Sequence, residues 1–272
     1  MTTLLHISDP HFGTEQPPVV DALLQLVREQ PPDQVILSGD VTQRARRAQF
    51  SAARRFIDDV GAPRTLVIPG NHDIPLFNVV ARLFAPYAGF IEAFGAELEP
   101  VAESPQCLVI ALNTTRARRH KHGEVSAQQV ERVADRLKAA LQGQLRIVVV
   151  HQPVAVIREE DEVNLLRGHG DAIARWSSAG ADLVLGGHIH LPYVLALHER
   201  VKGLARRTWA VQAGTAVSRR VRQGAPNSVN LIRWGDGLPP ARCVVERWDY
   251  AAQAGGFAKV HETALATGWV DR

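Results

Sequence analysis

Five short segments of the chain carry residue types that bind transition metals or move protons, and each follows an apolar run. Ser8-Asp9-Pro10-His11 closes the first run, Gly39-Asp40 the second and Gly70-Asn71-His72-Asp73 the third. Val148-Val149-Val150 leads into His151, and Val184-Leu185 into Gly186-Gly187-His188-Ile189-His190. Carboxylate, imidazole and amide oxygen together suit Mn, Fe or Zn better than Ca. Asp9/His11 and His188/His190 are i, i+2 pairs. On extended backbone such residues project to the same side, so each pair can converge on one ion. Gly39, Gly70, Gly186 and Gly187 leave the backbone room to turn beside them. A single Asp-Pro-His is often just a turn, and a single histidine after a buried strand is often a satisfied core residue. Five such sets, all at strand ends, are not explained that way. They point to a metal site on the rim where these segments meet.

Residues this far apart in sequence meet only if the strands that precede them end on a common rim. β-branched apolar runs at 4–7, 34–37, 65–68, 108–112, 146–150 and 182–185 read as strands. Amphipathic stretches at 19–29, 44–60, 79–84, 126–141 and 164–178 read as helices. Alternation of the two, with strands apolar throughout, predicts a largely parallel sheet buried under helices. The carboxyl ends of parallel strands line one edge, where such folds bind ligands. After His190 the pattern changes to strand-like runs at 194–197, 209–212, 228–232 and 242–247, with turn residues at Gly235-Asp236-Gly237 and Pro239-Pro240. These predict antiparallel strands forming a second sheet packed on the first. A single domain over 1–250 follows. Residues 251–272 are Ala/Gly-rich with weak periodicity and are read as a tail without assigned structure.

With 272 residues, 46% hydrophobic and 22% charged, the chain can bury a large core without disulfides. The longest apolar runs are strand-sized, far short of the roughly 20 residues that span a bilayer, so no membrane partner is expected. The N-terminus has no basic region or cleavage site, so no signal peptide is read. Cys107 and Cys243 sit alone in apolar runs, as reduced core thiols of a cytoplasmic protein would. A net charge of +3, with no basic stripe interleaved with aromatics, argues against nucleic acid. Basic residues bunch at 44–47, 116–122 and 219–222. The 116–122 loop and Ser218-Arg219-Arg220 are either clamps for an anionic substrate or plain solvated loops. His6, His169, His198 and His261 lie outside the motif set and are taken as structural or surface residues.

The ordered set D-x-H, G-D, G-N-H-D, a lone H and G-H-x-H, from Asp9 to His190, resembles the calcineurin-like metallophosphoesterase superfamily. That resemblance implies an α/β fold, a four-layer αββα sandwich with two mixed β-sheets (the metallo-dependent phosphatase fold), in which the C-terminal strands supply the second sheet. It also implies a dinuclear metal centre. Carried over by motif, Asp9, His11, Asp40 and His190 hold the first metal. Asp40, Asn71, His151 and His188 hold the second, with Asp40 bridging. His72 is the catalytic residue facing the substrate phosphate, and Asp73 orients it. Gly39-Asp40-Val41-Thr42, Gln49-Phe50, Pro69-Gly70-Asn71-His72-Asp73 and Leu112-Asn113-Thr114 are similar to small bacterial class III cyclic-nucleotide phosphodiesterases. Residues 43–47 depart from relatives that carry Gly or acidic residues there. Pro69 stands where Ser/Thr protein phosphatases have an arginine.

The activity implied is hydrolysis of a phosphodiester, foremost a 3′,5′-cyclic nucleotide, by a hydroxide bridging two ions of the Mn, Fe or Zn type. Other small phosphate esters are the alternatives: a glycerophosphodiester, a 2′,3′-cyclic nucleotide or a nucleotide pyrophosphate. A non-catalytic protein-binding scaffold on the same fold is expected to lack ligand positions or His72, and none is missing. The implied partner is a small anionic phosphate ester. Homodimerisation, the choice of metal and the physiological substrate are left open by the sequence.

Overall fold

The computed structural model describes residues 1–222, 224–235 and 242–270. Two six-stranded sheets face each other. The first runs in the order β12-β11-β10-β1-β2-β3, from β1 (Thr2–Ile7), β2 (Gln34–Leu37), β3 (Thr65–Val67), β10 (Ser228–Trp234), β11 (Cys243–Ala251) and β12 (Gly256–Leu265). The second runs β4-β5-β6-β7-β9-β8, from β4 (Val101–Glu103), β5 (Cys107–Ala111), β6 (Leu145–Val149), β7 (Leu183–Gly186), β8 (Tyr193–Ala196) and β9 (Trp209–Gln212). Both are mixed. β1, β2 and β3 are parallel, while β10, β11 and β12 continue that sheet antiparallel. β5, β6, β7 and β9 are parallel, with antiparallel edges at β4 and β8.

Successive residues of each strand serve different layers. Leu4, Ile36, Val109, Ile147, Leu185, Val211, Ile232 and Val245 meet between the sheets. Their neighbours Leu5, Val35 and Leu37 pack outward under α1 (Pro17–Glu29), α2 (Arg47–Val60) and α4 (Ala88–Phe94), against Leu23, Phe50, Phe56 and Phe90. On the far side Leu108, Ile110 and Val148 pack under α5 (Ala127–Lys138) and α6 (His169–Ala179), against Val133, Leu137 and Trp176. Four layers result, and both faces of every central strand are apolar. Helix starts follow local chemistry. Pro17-Pro18 opens α1, where missing N–H groups cost nothing. At α5, Ser126 Oγ accepts from Gln129 N (3.2 Å) and Gln129 Oε1 accepts from Ser126 N (3.0 Å), a reciprocal cap.

The partition of strands differs from the sequence-based expectation. The N-terminal strands are not one sheet backed by a C-terminal one. They divide, β1–β3 into the first sheet and β5–β7 into the second, and the C-terminal strands divide too. β8 and β9 pair antiparallel as expected, but β9 also lies parallel beside β7. An apolar strand buried on both faces reads the same in either sheet, so the sequence pattern does not choose its partner. Within residues 251–272, left without assigned structure from the sequence, Gly256–Leu265 forms β12, an edge strand that pairs with β11. Its exposed, polar outer face hides the alternation that would have announced it. The strand expected at 194–197 stops at Ala196, where the short α7 (Leu197–Arg200) begins. The helix expected from 164 begins at His169, after a 3-10 turn at Glu159–Asn164. Helix α3 (Val79–Phe84) follows the expected bounds. The expected turn at Asp236-Gly237 and Pro239-Pro240 lies outside the described residues.

Packing between the sheets sets the stability of the rim. Ile147→Ala, at a fully buried inter-sheet position, should destabilise the fold by about 2–5 kcal/mol. Val101→Ala on the exposed edge strand should stay within about 0.5 kcal/mol of wild type. Urea unfolding of the two variants checks the contrast.

Candidate metal centre

The five polar segments lie just past the carboxyl ends of β1, β2 and β3 in one sheet and of β6 and β7 in the other. Their backbone is unusual. Six non-glycine residues among those described have positive φ: Asp9 (51°), His11 (44°), Asp40 (47°), Ala45 (52°), His188 (72°) and His190 (55°). Five of the six carry candidate ligand atoms. Such conformations cost about 1–3 kcal/mol each and persist where the surroundings over-determine them, typically at functional sites. Glycines make the approach possible. A Cβ on Gly70 would overlap the backbone and carboxylate of Asp40, and one on Gly187 would overlap Ser8 and Asp9.

Two clusters result, each with ligand atoms within 4.8 Å of one another: Asp9, His11 and His190; and Asp40, His151 and His188. His190 Nε2 lies 3.3 Å from Asp9 Oδ1 and 3.0 Å from His11 Nε2. His151 Nε2 lies 3.3 Å from both Asp40 Oδ1 and Asn71 Oδ1. His11 Nε2 is 3.7 Å from Asp40 Oδ2, so Asp40 stands between the clusters. His72 also approaches His11 and Asp40. The seven residues singled out from the sequence are thus brought together.

Surrounding groups fix the orientation of these side chains. Asp9 Oδ2 accepts from Ser8 Oγ (2.6 Å) and His188 N (2.8 Å), and Asp40 Oδ1 accepts from His72 N (2.8 Å). His151 Nδ1 donates to Ser38 O (2.8 Å) and His190 Nδ1 to Arg220 O (2.5 Å). A carbonyl only accepts, so in both rings Nε2 is left to face the cluster. Of the described buried side-chain atoms without a hydrogen-bond partner, two belong to these ligand residues, Asp9 Oδ1 and His188 Nδ1. Orphans of this kind, a carboxylate oxygen and an imidazole nitrogen aimed into a buried cluster, are what a cation would satisfy.

Electrostatics agree. Burial opposes charge on Asp40, but His151 and His72 hold its carboxyl well below the usual carboxylate range. Burial opposes charge on Asp9 too, and His190 holds it below. Burial drives His11 and His188 down to about 3, leaving neutral rings with lone pairs to give. At His151 burial is outweighed by Asp40 and Asp9, which bring it up to about 9. Protons on His151 and cations in the cluster therefore compete for the same two carboxylates.

The carboxyl of Asp73 does not orient the ring of His72, as the sequence had suggested. It is buried and accepts from Val41 N (3.0 Å), Thr42 N (2.7 Å), Thr42 Oγ1 (2.8 Å) and Gly70 N (2.9 Å). Asp73 thereby ties the loop after β2 to the loop after β3, and burial and then Asp40 raise its carboxyl to about 7. The His72 ring is held instead by Gln43 O, to which Nδ1 donates at 3.0 Å. Its Nε2 looks into a cavity of about 660 Å³. Arg220 reaches the same place: one guanidinium nitrogen lies 3.0 Å from His72 Nε2, 3.2 Å from Gln43 Oε1 and 3.4 Å from His11 Nε2. Gln43 and Arg220 are the residues the motifs did not single out individually, although the basic bunch at 219–222 marked the segment. The other expected clamp is different. Arg118 and Arg119 pair with Glu124, and only His120 and Lys121 of that loop line the cavity.

A family model for calcineurin-like phosphoesterases matches residues 2–192. The chain belongs to that family. It is a metal-dependent phosphoester hydrolase, and the family works with two metal ions. A Synechococcus protein described as a "Probable cyclic nucleotide phosphodiesterase" is 26% identical over 202 residues, 71% of this chain and 73% of that one. Two solved structures share the fold. A purple acid phosphatase from yellow lupin (Lupinus luteus) seeds superposes with a TM-score of 0.71 at 12% identity, over 96% of this chain. The chain spans only about half of the lupin enzyme (53%). A dimetal phosphatase from Danio rerio gives a TM-score of 0.66 at 13% identity, over 98% of this chain and 99% of its own. No helix among the described residues is long and apolar enough to cross a membrane.

A phosphoesterase with this cluster should be stabilised by its ions. Chelator-stripped protein given Mn²⁺ at a hundredfold over Kd should gain about 2.7 kcal/mol. The thermal unfolding midpoint should rise accordingly, and Asp40→Ala should abolish the rise. An equal rise in that variant would place the ions elsewhere.

Proposed function

We propose that this phosphoesterase hydrolyses a phosphodiester at the cluster, with a 3′,5′-cyclic nucleotide as the favoured substrate. The observation that carries the reading is the meeting of seven side chains from five strand ends around two unpartnered buried atoms. The name of the Synechococcus relative supports the cyclic nucleotide. In this reading Asp9, His11, Asp40 and His190 hold one ion, and Asp40, Asn71, His151 and His188 the other. The mixed N/O donors suit Mn²⁺ or Fe, with Zn²⁺ as a variant. Such a pair would supply Lewis acidity and an activated water.

The remaining steps belong to the chain's own residues. The His72 ring, with Nδ1 held on Gln43 O, turns Nε2 to the cavity; when substrate draws the Arg220 guanidinium from Nε2 onto the phosphate, Nε2 relays a proton from water to the oxygen leaving phosphorus. Arg220 is within reach of the same place and holds a non-bridging phosphate oxygen by a charge-assisted hydrogen bond. Asp73 keeps the loops bearing Asp40 and His72 in register. No nucleophilic side chain is required. The two sheets form one catalytic unit, because ligands come from both. Cys107 and Cys243, buried and unpaired, fit a reducing cytoplasm.

A Mn²⁺-supplemented panel of cyclic AMP, a 2′,3′-cyclic nucleotide, a glycerophosphodiester, a nucleotide pyrophosphate and a generic monoester tests the assignment. Cyclic AMP should give the highest kcat/KM, and preference for the monoester would overturn the diesterase reading. His72→Ala should keep its metals and lose about 10²–10⁴-fold in kcat. Metal analysis beside steady-state kinetics separates that from a scrambled site. Arg220→Ala should act mainly on KM, raising it by about tenfold or more, as loss of a charged hydrogen bond of about 1.5–3 kcal/mol requires. An unchanged KM would show that Arg220 does not touch the phosphate.

A further inference from the structure

Helix α3 is inside out for a helix of a globular protein. Val79, Val80, Leu83 and Phe84 stand at i, i+1, i+4 and i+5 on one apolar face, which such a helix ordinarily buries. Here that face meets solvent: Leu83 is 70% and Phe84 83% exposed, and no residue of the helix is buried. Phe77, 81% exposed, extends the patch. The side turned to the body carries Ala81 and Arg82. The Arg82 guanidinium donates to Pro75 O (3.1 Å) and Arg119 O (3.0 Å). Asn78 caps the helix by accepting from Ala81 N (2.9 Å). The patch is therefore held in place from below rather than left over from a frayed loop. Contiguous exposed apolar surface of this kind marks an interaction site, whereas scattered single residues do not.

The border of the patch decides what fits it. Arg44 lies over the Phe77 ring, 5.7 Å from its centroid, and Arg46 lines the groove beside α3. Between Ile74 and Phe94 the one acidic residue is Glu92, and Arg47 engages it at 2.5 Å. A second copy of this chain seated on the patch about a two-fold axis would set these cations against their own counterparts. An anionic phospholipid surface answers both features. Apolar side chains reach the acyl boundary while arginines meet head-group phosphates. We propose that α3 and Phe77, bordered by Arg44 and Arg46, dock the protein on an anionic lipid bilayer. Docking of this kind needs no spanning segment. It also brings the site near the lipid surface, because Arg44 and Leu76 line both the groove beside α3 and a small cavity walled by His72 and His120. The proposal holds whichever ester the site cleaves.

Flotation of the full-length, metal-loaded protein tests it, on vesicles of phosphatidylglycerol mixed into phosphatidylcholine and on phosphatidylcholine alone. At low salt, at least about tenfold more protein should float with the anionic vesicles, and the excess should shrink as salt screens the head groups. Leu83→Asp/Phe84→Asp, at exposed positions, should abolish flotation while turnover of a soluble diester stays at the wild-type value. Arg46→Glu should lower binding to the anionic vesicles. Absence of wild-type flotation, or equal flotation of the double variant, overturns the proposal. So does a wild-type dimer in sedimentation that the double variant dissolves, which would give the face to a second copy.

Discussion

Two carboxylates, Asp9 and Asp40, are buried at the meeting point of two sheets, and much of the structure answers the cost of putting them there. An ion the size of a carboxylate loses several kcal/mol on leaving water, even after the protein relaxes around it. The repayment comes in layers. Backbone N–H groups of His188 and His72 each donate to one of the pair. Imidazoles crowd the remaining oxygens, and one oxygen of Asp9 is left without any protein donor. An apolar core would have been cheaper at this point. A buried cluster with unspent acceptors makes physical sense where cations are to be held, and so the stability of the rim and the chemistry of the family are bound together.

That requirement reaches into the backbone. A strand end continuing in its own direction would carry its ligand past the rim. Five ligand residues adopt left-handed φ instead, which folds each side chain back toward the common point. The strain is tolerable because the strands beneath are fixed on both faces by apolar neighbours between the sheets and under the helices. Gly70 and Gly187 add the other half of the arrangement. Gly70 lets the loop after β3 lie directly against Asp40 in the loop after β2, and Gly187 lets the loop after β7 lie against Ser8 and Asp9, so there the second sheet's ligands pack on the first's. Rigidity between the sheets is thus a condition of the site.

What the sequence made legible follows from the same physics. Ligand types placed at strand ends are visible because strand and ligand are adjacent in the chain, so Asp9, His11, Asp40, Asn71, His151, His188 and His190 could be named without a structure. Pairing between strands is not adjacent information. β3 and β5 are both short apolar runs, yet they belong to different sheets, and nothing in their composition records it. Side-chain partners across loops are hidden for the same reason. Asp73 follows His72 directly and invites the idea that one orients the other. The chain turns there in a 3-10 helix, which directs the carboxylate to Val41 and Thr42 and leaves the ring to Gln43.

The basic residues show why charge alone misleads. Three bunches looked equivalent in sequence, but a guanidinium acts on a substrate only if no protein carboxylate has claimed it. Arg118 and Arg119 share Glu124, and Arg222 is 2.8 Å from Asp161, so these positive charges are largely answered within the protein. Arg220 meets neutral acceptors, Gln43 Oε1 and imidazole nitrogens, which orient the guanidinium without cancelling its charge. Gln43 holds both Arg220, through its side chain, and His72, through its carbonyl. One residue in the loop after β2 thereby sets the spacing between Arg220 and His72, the two groups that the proposed mechanism assigns to the phosphate and the proton. The segment 43–47, where the sequence departs from the cyclic-nucleotide relatives, thus includes the residue that holds both groups of the proposed mechanism, while the metal ligands singled out from the sequence lie outside it.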